Sequence, residues 1–144
     1  MGRNEEVSGI LSSMKTLITH INPHLDDVFA IWLLKKYDPK YQDFEVDFIS
    51  ATHDVGHEET EDKVFVGTGG GKFDEHKEGL ATCAGSLVFD YLKGEGLLPK
   101  DELEVKALED MVECNRLIDM GKMKVKAWEE FEVASFLRPL DASQ

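Results

Sequence analysis

The chain has 144 residues, of which 42% are hydrophobic and 9% aromatic, a composition that excludes a disordered protein and fits a single globular domain. Its net charge of −13 repels phosphate backbones and anionic lipids, which argues against a broad nucleic-acid surface and against membrane binding. No apolar run approaches the roughly 20 residues that span a bilayer, and the two cysteines lack a C-x-x-C spacing. We therefore expect reduced thiols and a cytoplasmic location.

The pattern of apolar residues predicts an α/β fold. Residues 1–14 are expected to form a flexible leader, and residues 15–144 a single domain. In chain order, the predicted elements are a strand at 16–19, a helix at 26–37, strands at 44–49 and 64–66, and helices at 83–93, 101–118 and 125–137. Short strands that alternate with helices predict a mostly parallel sheet with helices on both faces. Such sheets bind ligands beyond the carboxyl ends of their strands.

The first predicted strand ends in the sequence T-H-I-N-P-H-L-D-D, at residues 19–27. His20 closes the strand, His24 lies four residues on, and Asp26 follows two residues later; imidazoles and carboxylates are the groups that hold divalent metals. Pro23 places them in a loop, which excludes the helical zinc-protease pattern. The structural alternative is that His20 is an ordinary strand-end histidine and Asp26 caps the helix that follows.

A second polar segment, G-G-G-K-F-D-E-H at residues 69–76, follows the third predicted strand. It is not a phosphate-binding P-loop, because the glycine spacing is wrong and Phe73 follows Lys72 where a serine or threonine is required. A dinucleotide-binding fingerprint fails as well, because Lys72 occupies the third glycine position. The glycines allow a tight turn that brings the next polar residues to the cleft, although an ordinary glycine-rich hairpin is the alternative. These polar residues are Asp74, Glu75 and His76.

The two segments together resemble the DHH superfamily of metal-dependent phosphoesterases. Its first motif, H-x-x-P-D-x-D, resembles residues 20–26, and its D-H-H motif resembles residues 74–76. Within the superfamily, the chain is similar to the melanocyte-proliferating-gene exonuclease family, also called metal-dependent protein hydrolases. That family has an S-A-G stretch and an I-D-N-G sequence, where this chain has C-A-G-S-L at 83–87 and I-D-M-G at 118–121. The resemblance covers residues 15–121 and implies a DHH-like N-terminal domain.

The resemblance implies a site for Mn²⁺ or another divalent metal, and a small phosphorylated substrate. The implied metal ligands are His20, His24, Asp26, Glu75 and Asp119, with Asn115 as the alternative to Asp119; His53, Asp54 and His57 are additional candidates in a loop. The residues expected at the reacting phosphate are Asp74 and His76, with Lys72 as a nearby cation. Gly67 stands where the family has an aspartate that bridges two metals, so the sequence predicts a single or weakly bound ion.

Three functions remain open at this stage. The first is metal-dependent hydrolysis of a phosphoester such as a nucleotide or an oligonucleotide. The second is a catalytically reduced module that binds a metal or a small anion as a sensor or a scaffold. The third is an α/β interaction domain without a site. The long predicted helices also leave room for a homo-oligomer that completes the cleft.

Overall fold

The computed structural model describes residues 14–50, 59–76 and 81–122, and its elements follow the predicted order. They are β1 (Thr16–His20), α1 (Leu25–Tyr37), β2 (Glu45–Ile49), β3 (Lys63–Phe65), α2 (Ala84–Gly94) and α3 (Glu102–Asp119). Each begins and ends within one residue of the predicted element. The helix predicted at 125–137 and all but the last residue of the predicted leader lie outside the described residues. No helix in the described ranges is both long and apolar enough to cross a bilayer.

The three strands form one parallel sheet in the order β2-β1-β3, which confirms the predicted α/β class. Thr16 of the central strand pairs with Glu45 on one side and with Lys63 on the other. Because all three strands run in the same direction, their carboxyl ends lie along one edge of the sheet. Both polar segments begin at this edge, after β1 and after β3.

The hydrophobic core lies between one face of the sheet and the helices. Leu17 of β1 pairs with Val64 of β3, so their side chains project from the same face, and both are buried. All three described helices contribute to this core, so a helical layer on the second face stays a prediction. The helical members of the core are Ala30, Leu33 and Leu34 of α1, Ala84, Val88, Phe89 and Leu92 of α2, and Leu108 and Val112 of α3.

Candidate metal centre

Polar side chains from three separate parts of the chain meet at the carboxyl edge of the sheet. They come from the end of β1, the start of α1 and the loop after β3. In the described ranges, three groups of side chains offer ligand atoms within 4.8 Å of one another. The groups are His20, His24 and Asp27; Asp26, Asp27 and Glu75; and Asp74, Glu75 and His76. We call these seven residues the rim cluster.

Asp27, which the sequence analysis did not select, belongs to two of the three groups. It is 2% exposed, and its Oδ2 accepts a hydrogen bond of 2.9 Å from the backbone N–H of His24. Its Oδ1 faces Gly67: a Cβ at that glycine would lie 1.8 Å from this oxygen. The Asp27 carboxylate therefore occupies the space in which a side chain at position 67 would lie. The sequence signal for Asp27 was Gly67: a glycine where the resemblance implies an aspartate indicates that a carboxylate from another position can take that place.

His20 presents its Nε2 atom to this carboxylate, 2.8 Å from Asp27 Oδ2. On the other side of the ring, Nδ1 lies 3.1 Å from the backbone oxygen of Ile21. Without a cation, the 2.8 Å contact between Nε2 and Asp27 Oδ2 needs a proton between the two atoms. A cation at the cluster would take the place of that proton, with the Nδ1 proton donated to the Ile21 carbonyl, which is the arrangement of metal-bound histidines. The His24 ring packs edge-on against His20, with 5.2 Å between the ring centroids.

Asp26 is not the cap of its own helix, because the N-cap residue of α1 is His24 and the carboxylate bonded to the His24 backbone is that of Asp27. Asp26 is 2% exposed, and its carboxylate accepts hydrogen bonds from the first two amides of α2, those of Ala84 and Gly85, at 2.7 and 2.9 Å. The side-chain amide of Asn115 in α3 donates a third, at 2.7 Å. Asn115 therefore acts on Asp26. Oδ1 accepts two of the three hydrogen bonds and Oδ2 accepts one, so Oδ2 keeps one lone pair for an ion.

The loop after β3 is held in place by Asp74. Gly67, Gly69 and Gly70 adopt positive φ angles of 70°, 78° and 72°, which only glycine adopts without strain. Asp74 Oδ2 then accepts the Gly70 N–H at 2.7 Å, and Oδ1 accepts the His76 N–H at 3.0 Å. Although burial acts to raise it, these backbone hydrogen bonds hold the pKa of Asp74 below its usual range. Asp74 is therefore a carboxylate that fixes the loop.

Glu75 carries the most perturbed carboxyl group of the rim cluster. Burial, together with the negative charges of Asp26 and Asp27, raises its pKa to about 7. Within the described part of the chain, its Oε2 atom is buried and has no hydrogen-bond partner. A buried carboxylate oxygen without a partner is costly, and either a proton or a cation would offset this cost.

His76 is an exposed member of the cluster, as is His24, and 69% of its side chain is accessible to solvent. Its Nδ1 lies 2.9 Å from Asp74 Oδ1, and its Nε2 lies 3.7 Å from Glu75 Oε1. Although desolvation acts to lower it, the hydrogen bond that His76 donates to Asp74 and the charge of Glu75 raise the pKa of His76. The imidazole is thus oriented by a carboxylate and open to solvent.

Two of the predicted site residues, Lys72 and Asp119, are not members of the rim cluster. Lys72 donates from Nζ to the hydroxyl of Tyr41 at 2.9 Å and lies over aromatic rings. Asp119 is in none of the three groups, although desolvation and the charges of Asp26 and Asp27 raise its pKa. The additional candidates His53, Asp54 and His57 lie outside the described residues.

No protein-family model, no curated protein and no solved structure matches the chain. The resemblance to the DHH superfamily therefore rests on the short motifs in the sequence.

Proposed function

We propose that the rim cluster binds divalent cations, with Mn²⁺ as the first candidate, and that the protein hydrolyses a phosphoester there. The observation that carries this proposal is the membership of Asp27 in two ligand groups. One group is rich in imidazole, through His20 and His24, and the other is all carboxylate, through Asp26 and Glu75. An acid shared by two groups is the ligand that two neighbouring cations need to offset their repulsion.

Asp27 would then replace the bridging aspartate that the DHH resemblance implies at position 67. Gly67 lacks a side chain, and the Asp27 carboxylate fills the vacated space from the opposite side. The bridging group would come from α1 instead of from the end of β3. The loss at position 67 would thus be compensated within the same pocket.

The donor atoms fit a divalent cation. Three carboxylates, Asp26, Asp27 and Glu75, bring ligand oxygens within 4.8 Å of one another, and Glu75 has a buried oxygen, Oε2, with no hydrogen-bond partner among the described residues. Carboxylates with imidazoles suit Mn²⁺, and bound cations would remove the repulsion among the acids. When bound, such cations would acidify a coordinated water and polarise a phosphoryl oxygen.

His76 would act on the substrate. Asp74 holds its Nδ1 side, which leaves Nε2 as the atom that can approach a ligand. A raised pKa favours the imidazolium form, which attracts an anionic phosphate and can donate a proton to a leaving oxygen. The exposed position of His76 suits contact with a substrate that arrives from solvent.

The proposal predicts that Mn²⁺ stabilises the protein and that Asp27→Asn removes this effect. Saturating Mn²⁺ should raise the Tm by about 5 °C relative to EDTA, because it binds the native state alone. Asp27→Asn keeps the size of the side chain and removes the shared negative charge. Differential scanning calorimetry measures the shift, and a generic phosphodiester reporter measures hydrolysis, which should fall to background in the variant.

Asp110→Asn is the matched control, because it removes the same charge from an exposed ion pair with Lys106. It should retain both the Mn²⁺ shift and the activity. If Mn²⁺ leaves the wild-type Tm unchanged, or if Asp27→Asn keeps the full shift, the proposed metal site is wrong.

The alternative is a module that binds cations without hydrolysis. The position of Lys72 favours it, because that ammonium is bonded to Tyr41 and is not in the rim cluster, so it does not help to neutralise a phosphate. His76→Ala should abolish hydrolysis and leave most of the Mn²⁺ shift if the protein is an enzyme. A wild-type protein with the full shift and no hydrolysis would support the module.

A further inference from the structure

We propose that Lys72 is a positioning residue, whose ammonium group fastens the loop after β3 to the rest of the fold and thereby sets Glu75 and His76 at the rim cluster. This inference rests on the proposed function. It gives Lys72 a role different from that of a cation at the substrate, which the sequence predicts.

Three aromatic rings surround the Lys72 ammonium. Nζ lies 4.6 Å from the ring centroid of Tyr91, 4.7 Å from that of Phe73 and 5.5 Å from that of Tyr41. Each of these distances is within the range of a cation–π attraction. Tyr41 is fully buried, and its hydroxyl accepts the 2.9 Å hydrogen bond from Nζ. We call the three rings the aromatic cage.

Two of the three rings of the aromatic cage, those of Tyr91 and Tyr41, belong to parts of the fold outside the loop. Tyr91 lies in α2, and its hydroxyl donates to the buried carboxylate of Asp38 at the end of α1, at 2.7 Å. Tyr41 lies in the connection between α1 and β2, packed against Phe44. The Lys72 side chain therefore joins the loop to α2 and to the connection between α1 and β2.

Phe73 supplies the second attachment of the loop. Its side chain is 1% exposed in the core, and its backbone oxygen accepts the Gly67 N–H at 2.9 Å. Asp74 and Glu75 follow immediately. Two successive side chains, one in the aromatic cage and one in the core, thus fix the backbone that leads directly into the rim cluster. Residues that orient metal ligands typically change metal affinity by roughly 10-fold to 100-fold when removed.

The test is Lys72→Met, which keeps the length and the contact with the rings but removes the charge and the hydrogen bond. In the metal-free protein, amide exchange should become about tenfold faster at Gly70 and His76, whose N–H groups donate to Asp74. Exchange at Ala84 and Gly85, whose N–H groups donate to Asp26, should not change. The Kd for Mn²⁺ should rise roughly tenfold, and Lys72→Arg should restore much of the affinity.

Lys40→Met is the matched control, because Lys40 Nζ also lies over Tyr41, 5.2 Å from the ring centroid, but does not belong to the loop. It should leave exchange and Mn²⁺ affinity unchanged. Equal exchange in Lys72→Met and wild type, or faster exchange at all four amides, would overturn the positioning role. If wild-type protein binds no Mn²⁺, the proposed function fails, and the exchange pattern alone still decides whether Lys72 positions this loop.

Discussion

Gly67 and Asp27 form a complementary pair of residues at the centre of the rim cluster. Gly67 has a φ angle of 70°, and a Cβ there would lie 1.8 Å from Asp27 Oδ1. The position is therefore closed to other residues for two reasons, the backbone conformation and the space that Asp27 occupies. The Asp27 carboxylate can lie here only because position 67 has no side chain. The geometry of any cation bound by Asp27 would therefore depend on Gly67.

We predict that Gly67→Ala destabilises the protein and weakens Mn²⁺ binding. The positive φ angle alone should cost about 1 kcal/mol, and displacement of the buried Asp27 carboxylate should add to this. Gly96→Ala is the matched control, because Gly96 has a φ angle of 69° and no atom within 4 Å of its Cβ position. Urea denaturation and Mn²⁺ titration measure the two effects. Equal losses of stability in the two variants, with Mn²⁺ affinity intact, would show that Asp27 does not depend on Gly67.

At the scale of elements, Asp26 joins the three helices at the site. It lies in the first turn of α1, accepts the first amides of α2 and accepts the side-chain amide of Asn115 in α3. The positive end of the α2 dipole and its free N–H groups favour this carboxylate. Gly85 permits the approach, because a Cβ there would lie 2.7 Å from Asn115 Nδ2 and 2.9 Å from Phe29.

We predict that Asn115→Ala lowers the free energy of unfolding by about 1 to 3 kcal/mol, because the charged Asp26 loses a buried hydrogen-bond donor. Glu109→Ala, an exposed change in the same helix, should stay within about 0.5 kcal/mol of wild type. Urea denaturation compares the two variants. A similar small effect in both would mean that Asn115 contributes little to the attachment of α3.

At the scale of the whole molecule, the charge of −13 includes acids that are packed against one another in the rim cluster. Glu75 is the group at which this crowding is greatest, with a pKa of about 7 against a usual value of 4.5. Folding without metal therefore binds a proton at Glu75 at pH values between the two. The global stability of the metal-free protein should therefore include a contribution from this carboxyl group.

We predict that metal-free protein loses stability as the pH rises from about 4.5 to above 7. A pKa that is raised on folding contributes stability below its unfolded value and loses it as the pH rises through its folded value. The loss should be at most about 3 kcal/mol. The raised pKa of His76 acts in the same direction, so the comparison with Glu75→Gln isolates Glu75. Urea denaturation in EDTA at pH 5.5 and at pH 8 measures the loss of stability in wild type and in Glu75→Gln. An equal loss in the two proteins would contradict the assignment of this pH dependence to Glu75.

Local patterns were sufficient to predict the elements and the two polar segments. The spacing of apolar residues that distinguishes a strand from a helix involves residues close together in the chain. Each described element therefore begins and ends within one residue of its predicted bounds. Once the strands were expected to be parallel, the positions of His20 and Glu75 at one edge of the sheet followed. In β2, apolar and polar residues alternate over E-V-D-F-I, but this pattern says little about burial, since Val46 and Phe48 are 37% and 49% exposed.

The sequence by itself thus determined which elements form, their order, and which segments carry imidazoles and carboxylates. Only the tertiary structure decided which of those groups share a position: Asp27 opposite Gly67, Asn115 on Asp26, and Lys72 among three rings. The physical reason is that a side chain's partners depend on packing between segments distant along the chain. Local periodicity fixes the backbone but carries no information about which distant side chains fill the same space.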